Sequence, residues 1–330
     1  MGMADTVTKE YMRSNKVFAD AFNYLIYDGE QVVKPALLQE LDTTEIAIPF
    51  ALDEKENPAE DVVQKYRDVL KSAVIMQDAE ASYILLGVEN QTEIHYAMPV
   101  RNIIYDALQY GKQVSEVAKR HKSKGDRKGH NKGEYLSGFY KEDRIRPVIT
   151  LVVHFGADEW DGPLSLYDMM DLKNERLLEY VQDYRIFLID PYKLTNEDLE
   201  KFSSSLGDVL GYIKYKKALS KFLNDSQVMI MDNDAARVIR DVTNTPIYVP
   251  EGKGEIDMCK AVRDMIDESK QEGIAAGKAE GRAEGMAAGE LNKAKKMALK
   301  MYQKGDSIEE IAEMAEFSVD QVKEWINSAV

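Results

Sequence analysis

The chain has 330 residues, 44% of them apolar, which is enough for roughly two cored domains with appendages. Its 43 Lys and Arg against 58 Asp and Glu leave a net charge of −15. That excludes nucleic acid wrapped over the whole surface, since phosphate binding needs clustered cations, and any DNA contact must come from a local basic zone. The single cysteine, Cys259, excludes an internal disulfide framework and argues against a zinc cluster. A reducing, cytoplasmic compartment is expected.

The start, MGMADTVTKEYMRSNK, lacks the apolar centre of a secretory signal. Phe18, Phe22 and Ile26 then recur at helical spacing after Ser14, an N-cap type of residue, so a helix is predicted from Asn15 to Tyr27. Lys55 to Ala59 reads as a charged, Pro-containing loop. Asp68 to Met76 and Ser82 to Glu89 read as two strands of a hairpin with Gln77-Asp78-Ala79-Glu80 as its turn. From Thr92 to about His121 the pattern is helical, with Pro99 marking a start or a kink.

Lys119 to Arg146 is a basic, Gly-containing stretch that reads either as a solvated loop or as a grip on a phosphate backbone. Buried strands follow at PVITLVVHF and RIFLI, separated by WDGPLSLYDMM, where Gly162-Pro163 is expected to turn into a helix and Trp160 to be packed. The longest apolar runs are all far shorter than the ~20 residues of a membrane-spanning helix, so no membrane partner is expected. Residues 196–241 are helical in pattern.

Beyond Glu255 a long helical segment carries Gly273, Gly277, Gly281, Gly285 and Gly289 among Ala, Glu, Lys and Arg. The stripe reads either as a face for close approach of another helix or as a flexible spacer. Gly277-Lys278 lacks the Ser or Thr of a phosphate-binding loop, and no strand precedes it, so no nucleotide cofactor is expected. The last stretch, SIEEIAEMAEFSVDQVKEWI, predicts two short helices around Ile308, Ile311, Val319, Val322 and Trp325. A helix-turn-helix is one reading. Asp320 and Glu324 on the second helix favour a plain helical hairpin or an oligomerisation element instead.

The chemistry is expected at the hairpin. Asp68 opens one strand and Glu89 closes its neighbour, so antiparallel pairing brings both carboxylates to one end, with Gln91 on the same side as Glu89. Two carboxylates holding an oxygen-preferring divalent ion, Mg²⁺ or Mn²⁺, are what phosphodiester hydrolysis requires, because the metal activates water and neutralises charge on phosphate. The same acids read alternatively as solvent-exposed hairpin ends. Glu93 and His95, on the incoming helix, read as contacts to substrate or water, with His95 reading alternatively as a surface or helix-capping side chain. His121 and His130 fall in the basic stretch.

An Asp-bearing strand, Glu89-Asn90-Gln91 ending an apolar strand and a following helix with Arg101 and Tyr105 resemble the Rpn recombination-promoting nucleases. These are the YhgA-like transposases, a branch of the PD-(D/E)XK nucleases. NKVFADAF, RPVITLVVHFGADEWDGPLSLYDMMD and the Glu-Gly tail carry the resemblance over most of the chain. It implies an α/β, restriction-endonuclease-like fold, a mixed central sheet flanked by helices, performing metal-dependent DNA cleavage. With the breaks in periodicity and composition, the expected division is a nuclease core over 1–195, a helical subdomain packed on it over 196–250, a low-complexity helical segment over 251–305 and a terminal helical hairpin or helix-turn-helix over 306–330.

Carried over by position, Asp68 and Glu89 are metal ligands, with the Asn90 backbone carbonyl as a further ligand. Asp20, in the first helix, either assists that metal site or is a surface carboxylate. Gln91 stands where the superfamily places lysine; it cannot carry charge and would orient the attacking water, leaving Arg101 to supply the cation. Arg67 stands in place of the superfamily's Pro. Lys119, Arg120, Lys122, Lys124, Arg127, Lys128 and Lys132 would hold the DNA backbone. The C-terminal helices would serve homo-oligomerisation or target engagement. The competing expectation is a non-catalytic, nuclease-like protein that binds DNA or assembles through its C-terminal helices.

Overall fold

The computed structural model describes residues 3–41, 44–47, 63–66, 68–77, 80–125, 131–171, 175–216 and 229–328, with backbone alone for 44–47, 63–66, 76–77, 80–83 and 175. The loop expected at 55–59, Arg67, and the hairpin-turn residues 78–79 lie outside the described residues. The chain divides into two compact units, Met1–Ala261 and Val262–Val330.

The first unit opens with two helices, α1 (Met3–Arg13) and α2 (Asn15–Tyr27). The second has the bounds expected from its apolar spacing, although Ser14 sits at the N-cap without a side-chain capping bond. The first was not expected, although Met3, Val7 and Tyr11 recur at helical spacing. Strands β1 (Gln39–Glu40), β2 (Thr44–Ala47), β3 (Val63–Tyr66), β4 (Val69–Gln77) and β5 (Glu80–Gln91) follow. Helices α3 (Met98–Lys124) and α4 (Lys132–Ser137) and strands β6 (Val148–His154) and β7 (Phe187–Ile189) complete the core.

The central sheet has five strands in the order β1-β4-β5-β6-β7. Neighbours β1, β4 and β5 run antiparallel, whereas β6 and β7 join parallel to β5. β2 and β3 form a separate antiparallel pair. This is the mixed sheet flanked by helices expected of a nuclease-like α/β core.

β5 and β6 are central and apolar. Leu86, Val88, Leu151, Val152 and Val153 are buried, as strands covered on both faces must be. Lys71 is buried too, and its Nζ donates to the Arg13 carbonyl and the Asn15 side chain, tying the α1–α2 junction to β4. Residues 196–257 add α5 (Asn196–Glu200), α6 (Leu206–Tyr215), the pair β8 (Ile230–Asp232) and β9 (Glu255–Asp257), and α7 (Asn233–Thr243). α7 packs on α1 and α6 on α2. In place of the helix expected after Gly162-Pro163 there is only a 3-10 turn, Tyr167–Met169, and Trp160 is packed as expected.

Asp20 is 1% exposed and accepts four hydrogen bonds, from the amides and hydroxyls of Ser203 and Ser204, at 2.6 to 2.9 Å. All its oxygens serve to pin α2 to the loop before α6.

α8 (Met258–Lys304) is the long helix expected from the glycine-spaced segment, followed by α9 (Ile308–Ala315) and α10 (Val319–Asn327). Ser307 with Glu310 and Ser318 with Gln321 form capping boxes, which explains where the last two helices begin. In the second unit Ala298, Ile311, Ala312, Val322, Trp325 and Ile326 form a small core. At each of the five glycines a Cβ would meet nothing within 4 Å. Among the described residues no helix is long and apolar enough to cross a membrane.

Replacing Asp20 by Asn leaves serine N–H and O–H donors with fewer acceptors, at an expected cost of about 2–3 kcal/mol. Urea unfolding of Asp20→Asn checks this, and an unchanged midpoint contradicts it.

Candidate active site

The β4–β5 register pairs Val69 with Val88, so Asp68, one residue earlier, comes level with Glu89. The Asn90 amide donates to Asp68 Oδ2 at 2.8 Å and fixes that carboxylate against the end of β5. Glu89 has no solvent exposure, and Arg101 Nη2 lies 3.0 Å from its Oε2. Arg101 Nε also donates to the Tyr105 hydroxyl at 3.2 Å.

Arg101 reaches Glu89 because α3 begins at Met98 with Pro99 in its first turn. The helix expected from Thr92 therefore starts at Met98, and the arginine is on its opening turn. Pro lacks the N–H that a helix interior would need, and its fixed φ suits a first turn. Residues 92–97 precede the helix, so Glu93 and His95 belong to a connecting turn.

Asp5, Asp68, Asn90, Gln91, Thr92, Glu93 and Arg101 line a cavity of about 280 Å³ at this strand end. Four of the sequence-derived site residues thus border one pocket, with Glu89 buried beside them. Asp20 is not among the lining residues. Asp5 is the carboxylate that the first helical segment supplies, held by a 2.6 Å hydrogen bond from the Thr92 hydroxyl. Lys9, one turn further along α1, places its Nζ 3.8 Å from Asp68 Oδ1.

Neither α1 residue was found by sequence reasoning. Their signal was the i, i+4 spacing of Asp5 and Lys9, which puts both on one helical face, beside the Met3, Val7 and Tyr11 spacing that marks α1 as a helix.

The pocket's donors are all oxygen: carboxylates, amide carbonyls and the Thr92 hydroxyl. That set suits Mg²⁺ or Mn²⁺, hard ions which need one or two carboxylates and complete their shell with water. Asn90 borders the cavity, and its side-chain Oδ1 and Nδ2 are buried without hydrogen-bond partners. Among the described residues no group of three or more His, Cys, Asp or Glu is gathered around one point.

Burial pushes the Asp68 carboxyl above its ordinary range, against the opposing pull of the Asn90 amide, Lys9 and Arg101. The protonated form is therefore favoured in the folded chain relative to the unfolded one.

The basic stretch lies elsewhere. Lys119, Arg120, Lys122 and Lys124 occupy the last turns of α3, which is helix and not loop, and Lys132 opens α4. Arg127, Lys128 and His130 lie outside the described residues. At ~1.5 Å per residue, the 18 residues from Arg101 to Lys119 separate these cations from the pocket by about 27 Å along the helix. His121 is engaged with Asp143 at 2.9 Å and stacks on Tyr140, with ring centroids 3.7 Å apart.

Residues 49–224 match the family described as "Putative transposase, YhgA-like". That span is over half of the chain, and the chain belongs to this family. No curated protein and no solved structure matches it.

Because Asp68 binds its proton more tightly folded than unfolded, its contribution favours folding below the ordinary Asp range and is lost as pH rises through the raised value. In EDTA, Asp68→Asn is expected to melt above the wild type at pH 7 and to converge with it below about pH 4. Thermal unfolding across pH checks this, and a wild type more stable at pH 7 contradicts it.

Proposed function

We propose that the chain is a metal-dependent DNA endonuclease, hydrolysing phosphodiester bonds at the pocket where β5 meets α3. The observation that carries this is the pairing of Asp68 with the Glu89-Asn90-Gln91 strand end, locked by the Asn90 amide at 2.8 Å. Asp68 and Glu89 would hold Mg²⁺ or Mn²⁺, with the Asn90 backbone carbonyl as a further ligand. The bound ion would activate water and neutralise charge developing on phosphate.

Gln91, at the rim of the cavity, donates or accepts a hydrogen bond to orient the attacking water. Arg101 neutralises Glu89 and keeps a cation beside a pocket that would otherwise repel a polyanion.

Lys119, Arg120, Lys122 and Lys124 act as a second contact. A separation of about 27 Å is roughly eight base pairs of duplex at ~3.4 Å each, so one duplex can touch the pocket and the distal end of α3 together. The protein acts in the cytoplasm, and the C-terminal helices serve assembly of copies.

A second reading, a nuclease-like protein without catalysis that binds DNA or assembles through its C-terminal helices, is favoured by one observation. Arg101 Nη2 lies 3.0 Å from Glu89 Oε2, so the carboxylate has a cation beside it without any metal.

Plasmid nicking in EDTA, Mg²⁺ and Mn²⁺ separates the two. Wild type is expected to cut with metal only, and Asp68→Ala or Glu89→Ala to cut at least about 100-fold more slowly. Reversing Lys122 and Lys124 to Glu is expected to weaken DNA binding and flatten its salt dependence without changing metal uptake. Metal-independent behaviour of every variant, with no cutting by wild type, supports the second reading.

A further inference from the structure

A polyanionic substrate meets an acidic pocket here. Asp5, Asp68 and Glu93 line it, and Arg101 is the one lining cation among the described residues. Arg101 is committed on two sides, to Glu89 at 3.0 Å and to the Tyr105 hydroxyl at 3.2 Å. Gln91 at the strand end carries no charge. A further cation, additional to any metal, stands next to Asp68 on another element.

We propose that Lys9 of α1 is that group: a catalytic lysine delivered from the N-terminal helix to the scissile phosphate and its attacking water. This rests on the nuclease reading above. Lys9 Nζ is 3.8 Å from Asp68 Oδ1, close enough for an ion pair but beyond a hydrogen bond, and its side chain keeps 19% exposure. The ammonium therefore faces the Asp68 carboxylate without being locked to it, on a four-carbon stem that can turn toward a ligand.

The helix that carries it is held at three points. Thr92 donates to Asp5 at 2.6 Å, Tyr11 shares a hydrogen bond with Ser205 at 2.9 Å, and Lys71 binds the Arg13 carbonyl. The Asp5 anchor lies one turn from Lys9 on the same face, so the bond from the pocket residue Thr92 also sets the position of the lysine. α1 lies outside the matched family span of 49–224, so the assignment comes from this chain's own geometry.

Lys9 acts on the phosphate and water by charge and hydrogen bonding. The bonds that change are those of hydrolysis: water oxygen joins phosphorus, the phosphorus–oxygen bond to one sugar breaks, and the departing oxygen takes up a proton.

The test compares wild type, Lys9→Met, Lys9→Arg and Lys9→Met/Gln91→Lys for plasmid cleavage in Mn²⁺ and for Mn²⁺ uptake by calorimetry. Lys9→Met is expected to lower kcat by about 100-fold, while binding Mn²⁺ at least as tightly as wild type, because a cation beside Asp68 is gone. Lys9→Arg is expected to retain part of the activity. A lysine returned at position 91 is expected to restore cleavage at least tenfold over Lys9→Met.

Lys9→Met cutting within threefold of wild type overturns the proposal and leaves the nuclease reading intact. Loss of both Mn²⁺ uptake and cleavage assigns Lys9 a structural role and overturns it too. Wild type that takes up Mn²⁺ but cleaves nothing overturns the nuclease reading, and the proposal with it.

Discussion

A carboxylate with no exposure to solvent, Glu89, constrains everything around the strand end. An ionised acid in that position costs several kcal/mol unless a cation meets it, and Arg101 does so at 3.0 Å. The arginine can arrive only because six connecting residues, 92–97, carry the chain from β5 to a helix that starts at Met98. The same short turn supplies Thr92 and Glu93 to the cavity, and Thr92 in turn anchors α1 through Asp5. One buried charge therefore accounts for where α3 begins and which side chains converge beside it.

Much of this was legible in sequence. Strand alternation and the apolar run ending at Glu89 gave the hairpin, and the register that levels Asp68 with Glu89 follows from it. Arg101 was found as a residue, but its place in the opening turn depended on Pro99 acting as a start and not a kink. α1 was missed although Met3, Val7 and Tyr11 recur at helical spacing, a short signal in a segment otherwise polar; that Thr8, Tyr11 and Met12 are the residues it buries follows only from the fold. Asp20 illustrates the opposite difficulty. A carboxylate on an amphipathic helix looks the same in sequence whether it faces a metal or two serines some 180 residues away, and only the fold brings Ser203 and Ser204 to it.

The C-terminal unit obeys different physics. Its small core, built on Ala298, Ile311 and Trp325, lies beside two helices that each begin at a capping box. The glycine stripe preceding it costs helix stability at every repeat, up to about 1 kcal/mol per glycine relative to alanine. Charged i, i+4 neighbours along α8 offset only part of that cost. α10 presents Asp320 and Glu324 with Lys323 between them, a poor match to a phosphate-lined groove. The cations proposed to hold DNA lie instead at the distal end of α3, in the same unit as the candidate site.

The central claim, that Asp68 and Glu89 form a divalent-metal site for phosphodiester hydrolysis, is tested most directly by anomalous diffraction at the manganese edge from crystals grown with Mn²⁺. The account expects one strong peak at the β5 strand end, about 2.1 Å from a carboxylate oxygen of each acid, absent in Glu89→Ala crystals. An empty pocket with the Arg101–Glu89 ion pair intact at saturating Mn²⁺ would contradict it.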